Sequence, residues 1–337
     1  MEVKAIKKAI YNNQDISKLY VGDILIFPFG SGQRNDNVRG KFTDYSTSAD
    51  WWYWANGSQW DETNKTDITK YVNPETKEFA IDIGTPTTLQ DLFSQNGTLE
   101  RIDDLPVDEN ITNLAEIFMY CTALNFVNTE GWNTQNVSSM NNSFIYCSNL
   151  NSIDVSEFNV GLVYDMSNMF AYSGINELDL SNWNTDCLQY IPYMFQGCSQ
   201  LWSLNLSNWN IVNLYQSDYL FQGCSNLTDL YLCNWSFNQY ANPITDYMFY
   251  ECYSLQNIYG PIYNINFDLD LSSSSNLTYD SINVIIEGLY DFNGGTGDSG
   301  DNIHYLYLHP NAFGLIELDF NIISLANAKG WTIVSQS

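Results

Sequence analysis

Positive charge nearly vanishes after the first third of the chain. Beyond Arg101 the one basic residue is Lys329, against 25 aspartates and glutamates. Such a segment repels phosphate, so neither nucleic acid nor an anionic membrane surface is expected as its partner. No run of 18 apolar residues occurs, which excludes a transmembrane helix. The opening MEVKAIKKAIYNN lacks the apolar stretch of a signal peptide, and no lipobox-like Cys follows. Folding in a reducing cytoplasm is therefore the expectation. Histidine is scarce: His304 and His309 flank one strand near the end, and no C-x-x-C pair exists, which argues against zinc. There is no P-loop, no G-x-G-x-x-G opening a helix after a strand and no G-x-S-x-G, and no Ser-His-Asp set is readable. With 39 acidic residues, carboxylate pairs arise by chance, and none is singled out as a glycosidase pair. The chain reads as non-enzymatic and needs no cofactor.

What is abundant is apolar and aromatic. Hydrophobic residues make up 45% and aromatics 15% of the chain, so a packed core is expected. Charged residues are only 15%, so the surface is built largely from Asn, Ser, Thr, Gln and Tyr. A period organises them. FMYCTAL, FIYCSNL, FAYSGI, FQGCSQL, FQGCSNL and FYECYSL begin at Phe118, Phe144, Phe170, Phe195, Phe221 and Phe249. The spacings are 26, 26, 25, 26 and 28 residues, and Phe93 in a divergent copy lies 25 residues earlier. Cys121, Cys147, Cys198, Cys224 and Cys252 follow their Phe by three, and Ser173 fills the remaining slot. Alternating stretches come next, with Ile153/Val155, Leu178/Leu180, Leu204/Leu206 and Leu230/Leu232 pointing inward as strands. Trp132, Phe158, Trp183, Trp209 and Trp235 close them. Upstream of each Phe, apolar spacing such as Val163, Met166, Met169 and Phe170 predicts a short helix.

One strand and one helical turn cannot bury themselves, whereas stacked copies can. The Phe positions then form an interior column, and each Cys is a small buried hydrophobe beside it. The expected fold is an α/β solenoid, a leucine-rich-repeat-like right-handed coil of 25–26-residue repeats after a small β-rich N-terminal region. The pattern MF-x-x-C-x-x-L-x-x-L-x-L-S-x-W-N-T, over residues 111–268, resembles the BspA-like leucine-rich repeat family. That resemblance implies a surface-exposed binding protein of bacteria or microbial parasites, with related repeats in phage proteins.

Four regions follow. Residues 1–28 carry two alternating runs with QD and GD as turn candidates. Their isoleucine-lysine strand followed by Tyr-x-Gly-Asp resembles the opening segment of phage virion and tail-associated proteins. Residues 29–85 hold Trp51, Trp52, Trp54 and Trp60, read either as a carbohydrate platform or as a small β core or N-terminal cap. Residues 86–268 are the solenoid, and 269–337 its C-terminal repeat and cap. In the cap, LTYDSINVIIEGLYDF predicts a helix, IHYLYLHP a strand, and the rest a helix or irregular turn with a last strand.

The strand face supplies the candidate binding residues: Asn128, Asp154, Asp179, Asn205, Tyr231 and Tyr259 at one level. Asp154 and Asp179 would be neighbours, able to share a proton, bind a cation or repel in solvent. Asp291, Asn293, Asp298 and Asp301 in DFNGGTGDSGD read as calcium ligands or as a solvated loop. The functional expectation is a phage virion protein of the tail, fibre or head, assembled in the host cytoplasm. It would attach to other virion proteins through residues 1–28, with a host surface glycan or protein, or a further copy of itself, as partner. A bacterial cell-surface adhesin is the alternative, and a carbohydrate-active enzyme the third reading.

Overall fold

The computed structural model describes the strands at 10–11, 14–15, 19–21, 24–26, 37–42, 52–54 and 65–67, and residues 77–82, 86–238, 244–293 and 304–336. Within 1–28, Ile10–Tyr11 pairs antiparallel with Gln14–Asp15, and Leu19–Val21 with Ile24–Ile26. Gln14–Asp15, the first turn candidate, is a strand. Gly22 and Asp23, the second, lie outside the described residues.

Asn37–Phe42 lies antiparallel between Glu78–Asp82 and Leu99–Asp104, and Phe126–Val127 pairs parallel on the far side of Leu99–Asp104. The first strand of the repeats is thus covered on the edge where no earlier copy exists, which removes an exposed edge strand. Arg39 bridges to Asp104 at 2.6 Å and Lys41 to Glu100 at 3.1 Å across this joint.

From residue 113 onward every described pairing and bridge is parallel. Among the described residues no sheet closes into a barrel. Glu177–Asp179, Ser203–Asn205, Asp229–Tyr231 and Asn257–Tyr259 form one sheet in register, burying Leu178, Leu204, Leu230 and Ile258. Ile153–Val155 departs from expectation and forms no strand. It precedes the copy that is one residue short, where Gly174 passes so close to the Ser148 carbonyl that a Cβ would sit 2.4 Å from it.

The Phe column is continuous. Ring centroids from Phe93 to Phe249 are 5.7, 5.4, 5.6, 6.0, 6.1 and 5.3 Å apart. A second column runs through Trp132, Phe158, Trp183, Trp209 and Trp235. Three of its indoles are satisfied from rung to rung: Trp183, Trp209 and Trp235 donate to the carbonyls of Val155, Leu180 and Leu206, whereas the buried Trp132 Nε1 at the start of the column has no acceptor. The five column cysteines are buried free thiols. Each donates its S–H to the Phe carbonyl of the preceding rung, as Cys198 does to Phe170 at 3.0 Å and Cys224 to Phe195 at 3.0 Å. Burial pushes the Cys198 thiol up to about 11, despite the lowering hydrogen bonds from Ser173 and Tyr172.

The expected short helices are absent. Val163, Met166, Met169 and Phe170 are all buried, as their spacing requires, but the backbone there is a run of turns. Alternate amides explain it. Met169 and Ala171 donate to residues three back, while Met166, Asn168, Phe170 and Tyr172 donate to the next rung at Tyr190, Pro192, Met194 and Gln196. A helix would use every donor locally; here half of them join the rungs. The alternation places residues two before and two after the column Phe at positive φ, such as Asn168 at 55° and Tyr172 at 57°.

Residues 269–337 form the expected helix, strand and last strand, with one further helix at Pro310–Ile316. Leu269–Leu271, His304–Leu308 and Trp331–Ser335 form a parallel sheet. Helix α1 (Tyr279–Gly288) is N-capped by Thr278 and buries Ile282, Ile285 and Ile286. α2 spans Pro310–Ile316 and α3 spans Phe320–Ala328. Lys329 Nζ donates to the Ile286 and Glu287 carbonyls at the end of α1. The last cation of the chain therefore complements a helix C-terminus. No helix among the described residues is long and apolar enough to cross a membrane.

Candidate functional site: the strand face

Asp179, Asn205, Tyr231 and Tyr259 stand in one register line on the four-stranded sheet, and Glu177, Ser203, Asp229 and Asn257 form the parallel line two residues earlier. The Tyr231 and Tyr259 rings stack at 4.2 Å. Asp229 ties the lines together: its Oδ1 accepts from Asn257 Nδ2 at 2.9 Å and from the Tyr259 hydroxyl at 3.1 Å, and Thr228 Oγ1 donates to Oδ2 at 2.7 Å. Partial burial pulls the Asp229 carboxyl up, but these three donors outweigh it and hold it below the usual range. Tyr259 is pushed up to about 12 by desolvation and by the Asp229 carboxylate. The result is a pre-oriented polar and aromatic patch.

The other line residues play local parts. Asn128 lies two rungs before Asp179, donating to the Asp103 carbonyl and accepting from the Glu130 amide. Asp154 lies outside any strand, and Asp179 pairs with Asn205 on the following one. Each closes its own turn: Asp154 Oδ1 accepts from the Ser156 amide and hydroxyl, and Asp179 Oδ1 from those of Ser181. The Ser156 hydroxyl and amide hold the Asp154 carboxyl low. Asp291 Oδ1 accepts the Asn293 amide, and Asn293 Nδ2 donates to the Ala328 carbonyl at 2.8 Å. Asn293 thus anchors α3, and Asp298 and Asp301 lie outside the described residues. No group of three or more His, Cys, Asp or Glu among the described residues could hold a metal ion. Trp52 and Trp54 belong to a strand, Trp52–Trp54, antiparallel to Lys65–Asp67, whereas Trp51 and Trp60 lie outside the described residues.

Sequence reasoning missed the tyrosines of the turn runs. Tyr120, Tyr146 and Tyr172 follow their Phe by two, and Tyr193, Tyr219 and Tyr247 precede theirs by two. Each set stacks, at 4.5 and 4.6 Å and at 4.9 and 5.2 Å. Their constant offset from the Phe was the available signal.

Parallel rungs, two aromatic columns and an acidic, tyrosine-bearing surface define the class: a protein of stacked repeats. Residues 87–201, 112–235 and 173–261 match the family described as Mycoplasma protein of unknown function, DUF285. These overlapping matches together span just over half of the chain, which belongs to this family. No curated protein and no solved structure matches it.

Proposed function

We propose that the chain is a leucine-rich-repeat-like solenoid that works as a binding protein rather than an enzyme. Its strand face would recognise a macromolecular partner. The observation that carries this reading is the in-register line Asp179, Asn205, Tyr231 and Tyr259, fixed by the Asp229 hydrogen bonds. Polar groups and aromatic rings held in place before binding lose little entropy on contact. In this proposal residues 1–28 attach the protein to a virion, and the solenoid meets a host surface or another virion protein. The alternative setting is the surface of a bacterial cell.

Two measurements test the reading. Mass spectrometry should find the protein in purified virions; recovery only in a bacterial surface fraction would replace the virion by the adhesin setting. Immobilised protein should capture whole host cells, and the pair Tyr231→Ala/Tyr259→Ala should abolish capture while the variant still folds, as read by circular dichroism. Undiminished capture by that folded variant would remove the strand face as the binding surface.

A further inference from the structure

A separate surface runs along the turns, and its tyrosines are placed against local preference. Each of six consecutive rungs carries one tyrosine at a left-handed backbone position, with φ between 55° and 60°. An L side chain there costs about 1 kcal/mol or more, and Asn or Gly is the inexpensive choice. The same two positions do carry Asn142, Asn168, Gly197 and Gly223 in individual rungs. Burial accounts for them only in part: Tyr120 is 44% and Tyr247 57% exposed, and Tyr193 and Tyr219 are half-buried.

Stacking along each column covers the ring faces. What remains outward is a row of ring edges and phenol oxygens, which suits hydrogen-bond donors rather than a sugar laid on a flat face. Carboxylates surround the row. Asp91 and Glu116 occupy the Tyr193 column position in earlier rungs, and Glu251 the Tyr172 position in a later one. Between them Asp218 is 5% exposed, and its Oδ1 has no hydrogen-bond partner. The Tyr193 amide donates to the Asp218 carbonyl at 3.0 Å, which sets the carboxylate on the rung beside this tyrosine. A buried carboxylate oxygen without a donor is costly, and residues 102–328 include no cation to supply one.

We propose that the turn face around Tyr193, Asp218 and Tyr219 binds an arginine-rich polypeptide segment, whose guanidinium N–H groups reach the Asp218 carboxylate and the phenol oxygens. Arginine fits because it offers several donors in a fixed fork and stays charged. The proposal does not rest on the strand face.

The test uses the full chain and a fluorescent oligoarginine peptide, read by anisotropy at about 0.15 M salt, where long-range attraction is screened. Tyr193→Asn/Tyr219→Asn leaves the charge unchanged and installs the residue that the column already holds at Asn142 and Asn168. Affinity should fall about tenfold or more with that pair, as expected for lost hydrogen bonds to a charged group. Asp218→Asn should lose as much. Tyr231→Asn/Tyr259→Asn on the strand face should stay within about twofold of the parent. The proposal is overturned if the turn pair keeps the parent affinity or the strand-face pair loses as much. Binding of a neutral oligosaccharide that the turn pair abolishes would also overturn it.

Discussion

Replacing Phe195 by Ala probes the interior column at its middle. Phe195 is fully buried, with the rings of Phe170 and Phe221 at 6.0 and 6.1 Å on its two sides. Its backbone bonds survive the substitution: the amide donates to the Leu220 carbonyl, and its carbonyl accepts from the Cys198 amide and the Cys224 thiol. What is lost is the ring. Burial of a Phe side chain is worth about 1.5–3 kcal/mol, and the cavity left behind adds to it. That cavity resists collapse, because Ile191, Tyr193, Phe195 and Gly197 each donate to the next rung and hold the rung spacing. The expected loss is therefore about 3–5 kcal/mol, a large part of the 5–15 kcal/mol typical of a domain. Phe144→Ala sets the scale: Phe144 is 1% exposed between Phe118 and Phe170 at 5.4 and 5.6 Å, and should cost the same. Urea denaturation followed by circular dichroism and by tryptophan fluorescence reads both values from the shift in midpoint. Because stacked repeats unfold through neighbour interfaces, the two probes should separate in Phe195→Ala. A loss under about 1 kcal/mol, against the usual range for buried Phe truncation, would refute the interior column.

Three further outcomes follow from the same geometry. Cys198→Ser should cost only about 1 kcal/mol, since a hydroxyl can still donate to the Phe170 carbonyl; chemical denaturation showing more than about 3 kcal/mol would mean that thiol volume, not donation, is what matters. Glu116 is pushed up to about 7 by burial and by its hydrogen bond and charge interaction with Asp91, so the folded state holds its proton more tightly than the unfolded chain. Its stabilising effect is complete below pH 4.5 and is lost as pH rises to about 7. Glu116→Gln should therefore melt with the parent near pH 4 and above it at pH 8, and equal melting at both pH values would sink this pairing. Sodium chloride should raise the melting temperature at low ionic strength, because 25 carboxylates beyond Arg101 face one cation. A fall would mean that Arg39–Asp104, Lys41–Glu100 and Arg101–Asp103, surface pairs of ordinarily small worth, dominate the charge balance.

The parts of the fold that burial dictates are legible in the sequence. Phe, Cys, Leu and Trp recur at fixed offsets because one column position has one volume, and the observed columns follow those offsets. Backbone donors leave no such trace. Val163, Met166, Met169 and Phe170 have helical spacing, yet their amides are divided between local turns and the next rung. The cysteines read correctly as small buried groups, but their part as donors to the preceding Phe carbonyl depends on three-dimensional register. The local bonds of Asp154 and Asp179 had a signal in plain view: both lie in Asp-x-Ser, the spacing at which a carboxylate accepts from the amide two residues on.

The turn face shows where sequence rules stop. Asn at two residues before the Phe in two rungs, and Gly at two residues after it in two others, mark left-handed positions by the residues that favour them. Once those offsets are known, Tyr120, Tyr146, Tyr172, Tyr193, Tyr219 and Tyr247 stand out as exceptions at the same sites. Ring stacking returns part of the strain, at about 0.5–1.5 kcal/mol per pair, so the tyrosines are tolerable there without being required by the fold. A residue that the backbone disfavours and the core does not need is chosen by what its exposed end meets, and for these six rungs that end is a phenol oxygen set among carboxylates.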